Sequence, residues 1–462
     1  MTACASFLAG LRANRSGGGN AVASVCSAHP DAWRALFRTA LRYERFALIE
    51  STSNQVNRRG GYTGMTPSDF VRAVHRVAEE EGFPPDRLLL GGDHLGPNFG
   101  GRLPAAAAMD EACLMASDYV RSGYRKIHLD TSFVCADDPA PPPDEITARR
   151  SAQMAAACEK AASGGPPPLY IIGTEVPTPG GMADFMPEEM TDSASAGTAD
   201  FSAGKRTQPT RPGDAARTLD VFQEVFRRNG LEDVLDRVVG LVVEAGVKFG
   251  DGGVIPYRPT PDLAAFIRRQ SGMVFEAHST DYQAVPELKA MAAHHFYILK
   301  VGPWLSFALR EGIFGLELIE RELAPERPSR FRETLLRIMR EDPRHWKAYF
   351  PADAPDRRLF FSYSDRCRYY LGAAEVRKSV ERLWENLNTR IPEDLLSQYL
   401  SRQWDRMKKG TPEGNPTRED QLRTGRLPDT ASPRDLAVDA AAFVLEGYFE
   451  AGSPSSPSGR RA

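Results

Sequence analysis

Leu88-Leu89-Leu90-Gly91-Gly92-Asp93-His94-Leu95-Gly96-Pro97 leads from an apolar run into a glycine and proline loop, setting a carboxylic acid beside an imidazole at the turning point. A buried strand that opens into a loop carrying two abutting ionisable groups is the local setting of a metal or proton-transfer site. The pattern recurs along the chain. Ala21 to Cys26 ends in Ser27-Ala28-His29, Phe46 to Glu50 leads into Ser51-Thr52-Ser53-Asn54-Gln55, and Lys126-Ile127-His128-Leu129-Asp130-Thr131-Ser132 forms a fourth run. The others are Leu169 to Glu175, Val238 to Glu244, Met273 to Thr280 and Phe296 to Pro303.

Helical patterns separate these runs, over Pro67 to Glu81 (capped at Thr66, with Pro67 at the first helical position), Ala105 to Ser122, Ile146 to Ser163 and Ala215 to Arg228. Near-continuous apolar strands are buried on both faces, as in a parallel sheet covered by helices. Eight such units in order predict a (β/α)8 TIM barrel over residues 21–325, following an N-terminal segment of residues 1–20; a doubly wound open sheet is the structural alternative. Beyond it, 326–450 reads as a C-terminal helical extension packed on the barrel, with helices near Arg330 to Glu341, Glu375 to Leu387 and Glu393 to Lys408. Residues 191–213, dense in Ser, Thr, Gly and Pro, read as a mobile insertion that is either a lid or a surface excursion, and 451–462 reads as a disordered tail.

Composition narrows the classes of function. The chain has 462 residues, 42% apolar and 26% charged, with a formal net charge of −3 and no long block of like charge. That argues against a nucleic-acid or membrane surface and for a small-molecule partner. No stretch approaches the roughly 20 apolar residues of a membrane span, and the N-terminus shows no basic segment followed by an apolar one, so a cytoplasmic location is expected. The six cysteines are scattered without a Cys-x-x-Cys pair, which predicts reduced, mostly structural thiols.

The strings Ser24-Val25-Cys26-Ser27-Ala28-His29-Pro30, Ser53-Asn54-Gln55-Val56-Asn57, Gly60-Gly61-Tyr62-Thr63-Gly64-Met65-Thr66-Pro67 and Gly91 to Asn98 resemble those of the so-called non-catalytic subunits of class II tagatose-1,6-bisphosphate aldolase. So do Lys126 to Asp130, Ile172 to Pro177, Glu276-Ala277-His278-Ser279-Thr280-Asp281-Tyr282-Gln283, Ile298 to Pro303, Tyr363 to Arg366 and Ser397 to Leu400. The resemblance extends from about residue 20 to 410; the loop 191–213 and the tail look longer than the family's usual pattern. It implies two activities. Some members are described as accessory subunits that stabilise a separate aldolase chain, others as stand-alone epimerases of ketohexose 6-phosphates such as D-tagatose 6-phosphate.

Chemistry bears on that choice. Tagatose 6-phosphate and fructose 6-phosphate differ at C4, which is β to the C2 carbonyl, so enolisation cannot make its hydrogen acidic. Transient oxidation would need a nicotinamide, and no Gly-x-Gly-x-x-Gly opens a strand-to-helix turn here. Retro-aldol cleavage of C3–C4, rotation of the aldehyde and re-addition is the other route. It needs an electron sink at C2, which a divalent metal can supply, and an acid/base at the C4 hydroxyl.

His94, Glu175, Glu244 and His278 are the expected ligands, a set suited to Zn2+ first and Mn2+ second. Asp93 and Glu50 are the expected acid/base groups, and the resemblance supports dividing Asp93 and His94 between proton transfer and metal binding. Asn54, Asp130, Ser279, Lys300, Gly302, Ser306 and Arg310 are expected to bind substrate, with Ser279, Gly302, Ser306 and Arg310 in the loops and helix start that commonly hold phosphate in barrels.

Ordinary readings stand beside these. An acid at a strand end is often a cap or ion-pair partner, His29 and His294-His295 read as loop and helix-end residues, and Lys205 and Arg206 lie in the long loop. Lys300 also opens a Schiff-base route in place of the metal. A kinase would need a glycine-rich phosphate loop followed by Lys-Ser or Lys-Thr, which the sequence lacks. Pairing with a class II aldolase chain and homo-oligomerisation stay open.

Overall fold

The computed structural model describes residues 1–98, 103–173, 208–251, 253–408, 427–428 and 430–453. Glu175, Lys205, Arg206, the insertion up to residue 207 and the tail from 454 lie outside the described residues.

Six parallel strands come first: β1 (Val22–Val25), β2 (Ala47–Thr52), β3 (Leu88–Leu95), β4 (Lys126–Leu129), β5 (Leu169–Ile172) and β6 (Val238–Val242). An antiparallel hairpin follows, β7 (Lys248–Gly250) and β8 (Gly253–Ile255), which the apolar pattern did not reveal because it is short and only partly buried. Then β9 (Val274–Ala277) and β10 (Phe296–Val301) bring the sheet round to β1. The order β1-β2-β3-β4-β5-β6-β9-β10 closes on itself as an eight-stranded parallel barrel. Its strands are buried almost throughout, which is why the sequence shows apolar runs and not alternation.

Helices α2 (Pro30–Arg42), α3 (Pro67–Glu80), α4 (Ala105–Arg121), α5 (Asp144–Ala161), α6 (Pro212–Arg228), α7 (Glu232–Leu235), α8 (Pro261–Arg269) and α9 (Val285–Ala293) connect the strands. Local chemistry sets their starts. Thr66 and Asp69 form a reciprocal capping box ahead of α3, and His29 caps α2 by accepting from Asp31 N at 3.2 Å.

The N-terminal segment is helical. In α1 (Ala3–Ala13), Ala3, Phe7 and Leu11 recur every fourth residue and meet Val22, Leu48, Leu89, Ile171, Val274 and Ile298, closing the floor of the barrel. The open end is therefore the C-terminal one.

After β10, α10 (Pro303–Leu323) carries Leu309, Ile313, Leu316 and Ile319 into a second core shared with α11 (Phe331–Glu341), α12 (Asp356–Phe361), α13 (Ala374–Asn386), α14 (Glu393–Tyr399) and α15 (Ser401–Lys408). Residues 393–408 form two helices, not one, because the chain turns at buried Leu400, which sits against Gly315. The last described helix, α16 (Pro433–Ala451), is opened by a Ser432/Asp435 capping box and packs on β1 and between α2 and α9. It takes the place in the outer ring that a helix following the final strand would fill. Gly312 permits the α10 crossing, since a Cβ there would lie 2.9 Å from the Ala437 Cα. Arg38–Asp435 (2.8 Å) and Arg42–Glu446 (2.6 Å) tie α16 to α2. No helix of the described residues is long and apolar enough to cross a membrane.

Leu445 of α16 is fully buried in the barrel core, whereas Phe443 is 45% exposed. Leu445→Ala is expected to lower the unfolding free energy by about 2–5 kcal/mol and Phe443→Ala by less than about 1 kcal/mol. Equal losses in urea titrations would contradict the placement of α16 in the ring.

Candidate functional site

Charge fills the upper half of the barrel interior. Ser24, Glu50, Lys126, Glu276 and Lys300 come from β1, β2, β4, β9 and β10, and all are buried. Lys126 Nζ lies 2.7 Å from Glu50 Oε1 and 2.6 Å from Glu276 Oε2. Lys300 Nζ lies 2.8 Å from Glu50 Oε2 and 3.2 Å from Glu276 Oε1, and it also contacts Asp93. Ser24 Oγ donates to Glu50 Oε1 at 2.6 Å. Gly91 makes room for this lattice, because a Cβ there would meet Glu50 Cγ at 2.7 Å.

Asp93 and His94 emerge where β3 slips register against β4, and His94 takes a left-handed φ of 48°. Such irregularities re-aim side chains at strand ends. Here they bring three imidazoles together: ring centroids are 4.7 Å apart for His94 and His278, 5.2 Å for His94 and His128, and 5.3 Å for His128 and His278. His94 Nδ1 bonds Asp130 Oδ2 at 2.7 Å, His128 Nδ1 bonds Asp93 Oδ1 at 2.9 Å, and His278 Nε2 bonds Glu276 Oε1 at 3.0 Å. Ser132 donates to the other oxygen of Asp130 at 2.8 Å.

Burial and neighbouring charge set the protonation states. Burial would raise the Asp93 carboxyl, but His94, Lys300 and His128 outweigh it and hold it well below the usual range. Burial would lower Lys300, yet Asp93, Glu276 and Glu50 hold its ammonium well above the usual lysine value. Burial pushes His278 down to about 3, against the pull of Glu276. For His94, burial is outweighed by Asp93 and Asp130, and the imidazole is raised.

One oxygen or nitrogen from each of Asp93, His128, Glu276 and His278 lies within 4.8 Å of the others. Two observations fit a divalent cation. The buried Nε2 of His128 has no hydrogen-bond partner among the described residues. The four carboxylates of Glu50, Asp93, Asp130 and Glu276 also exceed the two ammoniums of Lys126 and Lys300 by two negative charges when the imidazoles are neutral. Two nitrogens and two carboxylates suit Zn2+ or Mn2+.

Of the ligands expected from sequence, His278 is in this group. His94 lies beside it with its Nδ1 committed to Asp130, and Glu244 lies apart after β6, its backbone N–H donating to Thr210 Oγ1 at 2.9 Å. The sequence reading did not include His128 and Glu276 among the ligands. The signal for Glu276 was its two-residue spacing from His278, which puts both on one face of a strand.

A cavity opens above the cluster, lined by Asp93, His94, His278 and Lys300 at its base and by Asn54, Ser279 and Gly302 higher up. Glu50 sits beneath it, locked by both lysines. Ser306 and Arg310 do not reach the cavity: both side chains donate to the carboxylate of Asp365, and Arg310 is 1% exposed. The N-terminus of α10 is also occupied, since Asp281 Oδ1 accepts from Gly302 N at 2.9 Å and Trp304 N at 2.8 Å.

Residues 8–419 match the family described as "D-tagatose-1,6-bisphosphate aldolase subunit GatZ/KbaZ-like". The D-tagatose-1,6-bisphosphate aldolase subunits GatZ of Salmonella heidelberg (strain SL476) and Salmonella newport (strain SL254) are each 41% identical over 435 residues, covering 92% of this chain and 94% of theirs. A crystal structure titled as a probable tagatose 6 phosphate kinase from Sinorhizobium meliloti 1021 superposes with a TM-score of 0.79 at 39% identity, over 93% of this chain and 100% of that one.

Removing Lys126 alone leaves Lys300 as the one ammonium shared by the buried carboxylates of Glu50, Glu276 and Asp93. Lys126→Met is expected to lower stability by about 3–5 kcal/mol in chemical denaturation. A loss below about 1 kcal/mol would show that the lattice is not held as described.

Proposed function

This chain belongs to the GatZ/KbaZ-like family of D-tagatose-1,6-bisphosphate aldolase subunits, and we propose that it carries its own catalytic centre and inverts C4 of a ketohexose 6-phosphate, interconverting D-tagatose 6-phosphate and D-fructose 6-phosphate. The observation that carries this reading is the set of acids, imidazoles and a fixed ammonium that one chain assembles at the open end of its barrel. A purely stabilising subunit has no need of such a costly buried array.

In the proposed reaction Asp93, ionised and facing the cavity, takes the proton from the C4 hydroxyl. The C3–C4 bond breaks, its electron pair passes to the C2 carbonyl as an enediolate, and C4 becomes an aldehyde. Lys300 lines the same cavity and presents a permanent positive charge to the developing oxyanion. The aldehyde turns its other face, C3 attacks it, and Asp93 returns the proton to the new C4 alkoxide. Glu50 and Glu276 hold Lys300 in place, and Asp130 orients His94.

Asp93 through one carboxylate oxygen, with the other left for the C4 hydroxyl, would hold a divalent ion together with His128, Glu276 and His278, with His94 alongside; when bound, such an ion supplies Lewis-acid polarisation of the C2 carbonyl. A Schiff base at Lys300 is disfavoured, because three carboxylates keep the amine protonated and so not nucleophilic.

The relatives' names favour a second reading, in which the chain supports a separate class II aldolase chain as its partner. The two readings part on the isolated protein. The purified chain with Zn2+ or Mn2+ is expected to convert tagatose 6-phosphate to fructose 6-phosphate in a coupled assay and to lose this activity in EDTA. Asp93→Asn is expected to slow turnover by roughly 10²- to 10⁴-fold in protein that is still folded at the assay temperature. No product with metal restored, together with stimulation of a co-purified aldolase chain, would establish the subunit reading instead. In calorimetry the metal-free protein is expected to take up one Zn2+ per chain, weakened by His128→Ala; uptake unaffected by that change would overturn the donor set.

A further inference from the structure

Two cations line the cavity among the described residues, Lys300 at its base and Arg368 at its rim. Their surroundings differ. Lys300 is neutralised by three carboxylates, whereas every hydrogen bond recorded for Arg368 goes to a neutral acceptor. Its Nη1 donates to the carbonyls of Ser364 and, at 2.9 Å, Asp365; its Nη2 donates to Tyr369 Oη at 2.9 Å. The guanidinium lies 4.4 Å from the Tyr369 ring centroid.

Two carboxylates near enough to influence Arg368 are committed elsewhere. Asp365 is taken by Ser306 and Arg310, and Asp281 by the backbone N–H groups of Gly302 and Trp304. Arg368 thus brings a guanidinium with no direct carboxylate partner, with Nε–H and a second Nη2–H unassigned among the described residues, to a cavity that Asp281 also lines.

The segment that carries it is rigidly set. Asp365 adopts a left-handed φ of 42° and is clamped by Arg310 from α10, which fixes the carbonyls that position Arg368. Tyr62, from the loop after β2, packs edge-on against Tyr369 at 4.7 Å and closes the other side. A planar fork held this way suits a tetrahedral dianion.

We propose that Arg368 is the phosphate-binding residue of this cavity, gripping the phosphate monoester of a phosphorylated ketose whose carbonyl end lies over Asp93 and Lys300. Arg310 and Ser306 are positioning residues behind it. This rests on the proposed reaction for the identity of the sugar, while the anion subsite itself does not.

The test is equilibrium binding by calorimetry with D-fructose 6-phosphate, inorganic phosphate and D-fructose as probes. The parent protein is expected to bind fructose 6-phosphate and phosphate. Arg368→Met is expected to weaken both by at least about tenfold while leaving fructose unchanged, with Arg368→Lys intermediate. In the unaltered protein, saturating fructose 6-phosphate is expected to protect Arg368 from phenylglyoxal, read by peptide mass; this keeps the test open if a variant misfolds. A folded Arg368→Met protein that binds fructose 6-phosphate within twofold of the parent overturns the proposal, as does unprotected labelling or a parent that binds neither anion. Arg368-dependent binding without any epimerisation upholds the subsite and sinks the epimerase reading; epimerisation with unchanged KM in Arg368→Met does the reverse.

Discussion

Two lysine ammoniums inside a barrel dictate much of what surrounds them. Lys126 and Lys300 can be buried only because Glu50, Glu276 and Asp93 come from other strands to meet them, and those acids in turn are tolerable only beside the lysines. Gly91 has no side chain because Glu50 needs the space. α1 seals the floor with Phe7 and Leu11, keeping water from reaching the lattice from below. Above it, Asp93 is drawn in by cations on several sides and remains ionised at the one place where the barrel opens.

The same constraint explains why the chemistry gathers at the C-terminal end. Apolar side chains fill the lower barrel, the ionic lattice forms the middle, and the three imidazoles cap it. In the proposed reaction a group there is surrounded by fixed charges that would need no rearrangement when a substrate oxyanion forms. The C-terminal region is part of this arrangement: α10 clamps Asp365, Asp365 sets Arg368, and α16 completes the ring around β1.

Much of the architecture was legible in the sequence because strands buried on both faces leave continuous apolar runs, and Asp93-His94 stood out because two ionisable groups abut in a glycine loop. What escaped was set by distance along the chain or by register. No local pattern connects α16 to α2, some 400 residues earlier. Glu276 and His128 were visible as residues, but their convergence with Asp93 depends on the slip between β3 and β4. Arg310 looked like a phosphate ligand because it lies one turn beyond Ser306, yet the structure directs both to Asp365 and brings Arg368 to the cavity instead.

The central claim is that one chain alone breaks and remakes C3–C4 without touching the C4–H bond. The most direct measurement follows D-tagatose 6-phosphate deuterated at C4 on the purified, metal-loaded protein by NMR. The account predicts fructose 6-phosphate with deuterium fully retained at C4 and no rate penalty of the size that C–H cleavage imposes. Loss of deuterium to solvent, a primary isotope effect, or no product at all would contradict it.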